Sequence, residues 1–255
     1  MINRCLKLIA HPKREGHKII PLLLSRYAID KRKVLEKFHN DRLSKPYPDH
    51  DKLMAYFPNQ NGFFIVAGGN DGYGQDPTYY LERFRGWTGI IIEPLPKARE
   101  YCSKNRPDSL ILPYALVEKN YPYEKVTLID CNAMSLIKGR REDELDWIHA
   151  GEEKQKIIAK EIEVPSATLD EILDQYFAHN ARRDIDLLTI DTEGTELDIL
   201  KGIDLERYHP KYLLVEIHNE SRLKKINDYL ADKYRPIDRF CGIDYLYIWN
   251  NDHGN

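Results

Sequence analysis

Asp191, Glu193, Glu216 and His218 stand at the ends of two apolar runs, Ile185 to Ile190 and Tyr212 to Ile217. Their types move protons or hold cations. In one chemistry His218 or Asp191 is a general base and the neighbouring carboxylates orient a hydroxyl. An unperturbed histidine, with a pKa of about 6.5, can accept a proton at physiological pH. In the other, Asp191, Glu216 and His218 bind Mg²⁺ or a similar ion, which lowers the pKa of a bound hydroxyl. Oxygen ligands suit Mg²⁺ and histidine suits it less, which favours the metal-free chemistry. Each residue also has a purely structural reading. Asp191 and Glu193 fit a helix N-terminus, Glu216 a loop cap and His218 a hydrogen-bonded packing residue.

A second group has the types that hold a nucleotide. Gly68-Gly69-Asn70-Asp71-Gly72-Tyr73-Gly74 follows the run Phe63 to Ala67. Glycines let the chain turn sharply and let a ligand lie against the backbone. The turn is not GxGxxG, which weakens the case for a pyrophosphate. Asp71 suits a cationic amino group better than a phosphate. S-adenosylmethionine carries an ammonium and a sulfonium; NAD carries a pyrophosphate. Glu93 lies 22 residues after Asp71 and precedes Pro94, where an acid can accept hydrogen bonds from ribose hydroxyls. The plain alternatives are turn chemistry for the Asn and Gly residues and a surface role for Glu93.

The elements that must position these residues follow from apolar patterning. Phe63–Ala67, Gly89–Ile92, Leu110–Leu112, Lys125–Ile129, Ile185–Ile190, Tyr212–Ile217 and Tyr245–Trp249 read as strands, and Ile162–Val164 as a short extended piece. Helices are expected around Thr78–Phe84, Pro96–Lys104, Glu144–Ala159 and Thr168–Phe177, the last capped by Ser166 or Thr168. Strands that alternate with helices predict an α/β domain with a mostly parallel sheet covered on both faces. Leu6 to Phe38 reads as two short helices, and Pro46 and Pro48 break the pattern. The expected division is a basic helical appendage, 1–55, and an α/β domain, 56–255.

Read together, these segments resemble the FkbM family of methyltransferases. Asp186-Leu187-Leu188-Thr189-Ile190-Asp191-Thr192-Glu193-Gly194-Thr195-Glu196, then Leu200-Lys201-Gly202, is similar to its "DLLKIDVEGAE…LKG" stretch. Val164-Pro165 with Thr168-Leu169-Asp170 resembles "VP…TLD", and Leu214-Val215-Glu216-Ile217-His218 resembles "lEiH". The glycine-rich turn aligns with "DVGANxG", and Trp87-Thr88-Gly89 with Glu93-Pro94 with "GW.G…EP". The resemblance covers roughly residues 60 to 250. It implies a Rossmann-like class I methyltransferase fold with a seven-stranded mixed sheet, and S-adenosylmethionine over the ends of the first strands. It further implies methyl transfer to a hydroxyl, often of a sugar or a glycosylated molecule. The cofactor set under this reading is Gly68, Gly69, Asn70, Asp71, Gly72, Thr78, Glu93, Pro94, Tyr114, Ala115 and Ser135. Tyr114 and Ala115 would lie at the adenine end. One departure stands out: the family's acid before the glycines is Val66 here. Asp71 is the expected substitute.

The remaining composition narrows the field. A net charge of −3 gives no general pull toward nucleic acid. Residues 1–45 carry +8 and the remainder −11. That arm reads as a solvated appendage, with peripheral contact to an anionic membrane as the alternative. The first thirty residues hold no Trp or Phe anchor. No apolar run is long enough to span a bilayer. Cys5, Cys102, Cys131 and Cys241 form no CxxC pair, so neither a zinc site nor a disulfide framework is indicated, and a cytoplasmic setting is expected. Two other functions compete. An NAD-dependent oxidoreductase would want GxGxxG and a helical Tyr-xxx-Lys, but Tyr121 and Lys125 lie in a loop leading into a strand. A non-catalytic binding module on the same fold rests on Val66 alone.

Overall fold

The computed structural model describes residues 47–180 and 184–250. The two short helices expected within Leu6–Phe38 lie outside the described residues. The chain divides into two compact units, 1–44 and 45–255, and the second holds every element named below.

The main sheet has seven strands in the order β10-β11-β9-β8-β1-β2-β3. Its centre is β1 (Phe63–Ala67), β2 (Thr88–Ile92), β3 (Leu110–Leu112), β8 (Leu187–Ile190) and β9 (Tyr212–Glu216), all mutually parallel. β10 (Tyr234–Phe240) and β11 (Asp244–Trp249) form an antiparallel hairpin whose β11 runs against β9. The central strands are apolar on both faces because helices cover both. Phe63, Ile65 and Ala67 of β1 enter one core with α5 (Leu169–Ala178), α6 (Glu196–Lys201), α7 (Leu205–Tyr208) and α8 (Glu220–Leu230). Phe64 and Val66 enter the opposite core with α1 (His50–Met54), α2 (Tyr79–Arg85) and Cys102 of α3 (Pro96–Asn105). The two-residue period of a strand sends alternate side chains to the two layers.

Residues 115–167 form a second, four-stranded sheet in the order β4-β7-β5-β6. It comprises β4 (Ala115–Leu116), β5 (Lys125–Asp130), β6 (Leu136–Ile137) and β7 (Lys160–Ala167), with α4 (Glu144–Gln155) between β6 and β7. The expected helix to Ala159 stops at Gln155 because Lys156 turns left-handed at φ 53°. The chain then enters β7, which is longer than the short piece expected, since all of Lys160–Pro165 pairs with β5. Thr168 caps α5 through a reciprocal box with Glu171, so of the two caps considered Thr168 is used.

In the main sheet the strand order reverses between β1 and β8, whose carboxyl ends are neighbours. A crevice outside such a switch point is where open α/β sheets bind ligands. Members of both sets of chemistry-bearing residues sit on that rim.

Candidate active site

A cavity of about 370 Å³ opens at the switch point. Gly68, Gly69 and Asn70 at the end of β1 line one part of it, with Glu93, Pro94 and Leu95 after β2. Gly68 can occupy this place because it has no Cβ. Its φ is 86°, and a Cβ there would lie 1.8 Å from the carbonyl oxygen of Asp191.

Glu93 is buried, and each of its carboxylate oxygens accepts a backbone hydrogen bond. Asn70 N–H donates to Oε2 at 2.7 Å and Leu95 N–H to Oε1 at 2.7 Å. An ionised carboxylate has about four acceptor positions, so two remain for hydroxyl donors. Burial pushes its pKa up to about 7, opposed by the two N–H groups and the Arg99 charge. Tyr114, Ala115, Leu116, Leu128, Leu136 and Ile137 form an apolar wall from the second sheet side, fit to enclose a flat ring. Ser135 also lines the cavity, but its hydroxyl accepts from Cys131 N–H at 2.8 Å and donates to Asn132 O at 2.6 Å. These features fit an adenosyl group: a bidentate acid for the ribose and an apolar slot beside it.

Three expected cofactor residues lie elsewhere. Asp71, Gly72 and Thr78 do not line the cavity. Asp71 Oδ1 accepts from Tyr73 N–H at 2.9 Å and Gly74 N–H at 2.8 Å, so the side chain closes its own turn. Gly72 backs onto Cys102 and Arg106. Thr78 is fully buried and spends its hydroxyl between Asp76 and Arg106. Val66 itself lines the cavity.

The opposite end of the cavity is acidic. Asp191, Glu193, Glu216 and Asp244 all line it. Asp191 lines the cavity and is itself exposed. Desolvation, and then the charges of Glu216 and Glu193, raise its pKa well above the usual carboxylate range. Glu216 moves down despite burial, because the imidazole of His218 and the carboxyl of Asp191 stand against it. Glu193 moves up, burial outweighing the His218 hydrogen bond. It is also held in a left-handed backbone, φ 56°, which a non-glycine residue adopts at a cost.

His218 is brought to these acids but not to the cavity wall. Its Nε2 lies 3.1 Å from Glu193 Oε2 and 3.0 Å from Glu216 Oε2. The hydrogen bond with Glu193 and the carboxylate of Glu216 close by raise its pKa to about 10. A histidine so placed is a cation at neutral pH, which removes it as the general base. The metal set read from sequence is also altered. Ligand atoms of Glu193, Glu216 and His218 all lie within 4.8 Å of one another, so Glu193 takes the place given to Asp191.

Arg141 and Trp147 complete this end and carried no signal in the sequence. Arg141 is buried; its Nη1 donates to Glu193 O at 3.0 Å and lies 3.9 Å from Glu193 Oε2. Its guanidinium stacks over the Trp147 ring at 3.6 Å, and that ring lies 4.9 Å from His218. Asp244 is likewise new: Tyr47 O–H donates to its Oδ2 at 2.6 Å, and burial raises it to about 6. Neither Tyr121 nor Lys125 is in a helix, and Lys125 at the start of β5 is paired to Glu163 at 3.5 Å. They offer no oxidoreductase pair.

Residues 67–242 match the methyltransferase FkbM domain family. No curated protein gives a significant match. Among solved structures, methyltransferase FkbM from Methylobacillus flagellatus KT is similar at 14% identity and a TM-score of 0.44. That similarity covers 74% of this chain and only 44% of that one. Precorrin-6y C5,15-methyltransferase from Geobacter metallireducens GS-15 is similar at 10% identity, over 79% of this chain and 87% of that one, with a TM-score of 0.42. A TehB-like SAM-dependent methyltransferase from Corynebacterium glutamicum ATCC 13032 Kitasato is similar at 10% identity, over 90% and 100%, with a TM-score of 0.39. The seven-stranded mixed sheet is the class I methyltransferase architecture expected from the sequence.

Proposed function

The chain belongs to the FkbM methyltransferase domain family, and on that premise we propose that it transfers the methyl group of S-adenosylmethionine to a hydroxyl oxygen of a sugar or glycosylated acceptor. The cofactor supplies an electrophilic methyl on a sulfonium. The chain must bind it, align a nucleophile behind that methyl and take up a proton. One observation carries the reading: a single cavity joins the Glu93 crevice to a wall of four carboxylates. Of these four, Glu216 is held ionised and accepts hydrogen bonds only, which suits the O–H donors of a sugar and disfavours a phosphate or carboxylate beside it.

Asp191 is the group placed to take the hydroxyl proton. Its raised pKa makes it a stronger base than an ordinary aspartate once ionised, nearer the match that proton transfer favours. Glu216, held ionised by His218, orients the hydroxyl beside it. Arg141 and His218 balance the charge of Glu193 and Glu216 from behind. A second reading places Mg²⁺ or a similar ion on Glu193, Glu216 and His218, because their ligand atoms converge. The two buried or half-buried cations already serving these acids favour the metal-free chemistry.

The test is turnover with S-adenosylmethionine and a panel of neutral glycans, carboxylates and amines, with and without EDTA. The expected result is a methyl ether on a glycan hydroxyl, unaffected by EDTA. Asp191→Asn should lower kcat by about 100-fold or more, the range of a lost general base, at unchanged S-adenosylhomocysteine affinity. A methyl group on nitrogen or a carboxylate overturns the acceptor assignment, activity lost with EDTA and restored by Mg²⁺ selects the metal reading, and cofactor binding with no turnover on any acceptor leaves a binding module.

A further inference from the structure

Behind the glycine-rich turn lies a charge network that the reaction above does not use. Arg106, which follows α3, is completely buried. Its Nε donates to Glu82 Oε2 at 2.9 Å, its Nη1 to Asp76 Oδ2, and its Nη2 to Thr78 Oγ1 at 2.9 Å. Glu82 has no exposed side-chain surface and Asp76 only 4%. One guanidinium therefore serves two buried carboxylates, and the network carries one negative charge in excess. A buried uncompensated charge is costly, and a cation brought against it recovers that cost.

The excess can be reached from one side. Glu82 takes hydrogen bonds from Ser109 O–H and Asp108 N–H as well as from Arg106, and it does not line the cavity. Asp76 does line it. Its Oδ1 accepts from Thr78 N–H at 2.7 Å and from Thr78 O–H at 2.8 Å. Its Oδ2 accepts from Arg106, which leaves an acceptor position on that oxygen. The carboxylate is thus fixed by three donors in the wall of the cavity that Gly68, Gly69 and Gln75 also line.

We propose that Asp76 is the carboxylate that binds the ammonium of the cofactor's amino-acid part, and that Arg106 is the positioning residue that holds it. This rests on the S-adenosylmethionine reading and deepens it. Asp76 thereby supplies the acid that Val66 cannot, from a point ten residues further along the chain. Asp71, which the sequence favoured, is turned into its own loop.

The experiment is calorimetric titration with S-adenosylhomocysteine and with its deaminated analogue, in which hydrogen replaces the amino group. Wild type should bind the parent at least about tenfold more tightly, the scale of a charge-assisted contact. Asp76→Asn keeps an acceptor for Thr78 but sets an amide NH₂ against Arg106. Asp76→Ser avoids that clash, so both are measured, with melting temperature as the check of fold. Each should bring the preference for the parent below about threefold while the analogue's affinity stays as in wild type. Asp76→Glu should recover part of the preference, and Asp71→Asn should keep all of it. Equal weakening of both ligands at Asp76 means a merely structural role and overturns the assignment, as does an unchanged preference, a wild type without preference, or loss at Asp71. A folded wild type that binds neither ligand overturns the cofactor reading itself, an outcome distinct from the others.

Discussion

Glu93 gives the sharpest quantitative consequence of this site. In the ligand-free protein its pKa is about 7, because burial opposes its charge more than two backbone N–H groups and Arg99 support it. Ribose hydroxyls that donate to it stabilise the ionised form, so binding draws a proton off. With the bound pKa back near the ordinary 4.5, the fraction ready to bind is about nine-tenths at pH 8 and about one-tenth at pH 6. Affinity for S-adenosylhomocysteine should then fall about tenfold from pH 8 to pH 6, equivalent to about 1.4 kcal/mol. Calorimetry in two buffers of different ionisation enthalpy should register close to one proton released at pH 6 and about a tenth of one at pH 8. The effect on stability has the same origin. A carboxyl whose folded pKa lies above its unfolded value favours the fold most below about pH 4.5. That contribution is lost as pH rises toward 7, by at most about 3 kcal/mol. Glu93→Gln has one acceptor for two N–H groups and cannot titrate. It should bind weakly and without the pH slope. Tight binding that is flat from pH 6 to pH 8 would refute the reasoning, for it would mean that Glu93 does not meet the ligand.

Two further perturbations separate chemistry from packing. Arg141→Met removes the guanidinium beside Glu193 while keeping a long side chain against Trp147. Turnover should fall at least tenfold while S-adenosylhomocysteine affinity changes less than threefold, as read by steady-state kinetics and calorimetry. Gly89→Ala places a Cβ 2.3 Å from the Phe64 ring and 2.4 Å from Phe64 O. Backbone cannot yield as a side chain can, so a loss of about 1–3 kcal/mol is expected, seen as a melting temperature lower by at least about 2 °C.

The parallel core was legible because a strand covered on both faces must be almost wholly apolar, as Phe63–Ala67 is and as Leu187–Ile190 is apart from Thr189. β10 was not anticipated. Tyr234-Arg-Pro-Ile-Asp-Arg-Phe240 carries a proline and three charges and reads as a loop. It forms because it is the edge strand, where one side needs no partner, and the pairing slips between Pro236 and Asp238. α8 hid for a related reason: Leu223, Ile226 and Leu230 make a narrow apolar stripe in an otherwise polar segment. In the site, the rim acids could be read because strand ends fix where they stand. Asp71 was misplaced because an acid in a turn can bond its own backbone as readily as a ligand, and sequence does not say which. Arg141 sits in Gly139-Arg-Arg-Glu-Asp143, which looks like a solvated face. Its partners Trp147 and Glu193 lie further along the chain, beyond the adjacent Asp143 that also pairs with it.

The arrangement of charge ties these separate sites together. Asp76, Glu93, Asp191, Glu193, Glu216 and Asp244 line the cavity, while Arg106, Arg141 and His218 stand behind them. Cations behind a carboxylate fix its position without offering a donor to whatever enters. On the proposed reading Glu93 offers acceptors to ribose hydroxyls, Asp76 to an ammonium, and Glu216 to a hydroxyl of the acceptor. A phosphate would meet repulsion at each of these places. The same electrostatics that argues for a cationic methyl donor over a dinucleotide thus argues for a neutral, hydroxyl-rich acceptor. If a phosphorylated sugar proved the better substrate, the charges placed behind Glu193 and Glu216 would have to reach the cavity, and the roles given to Arg141 and His218 would fall together.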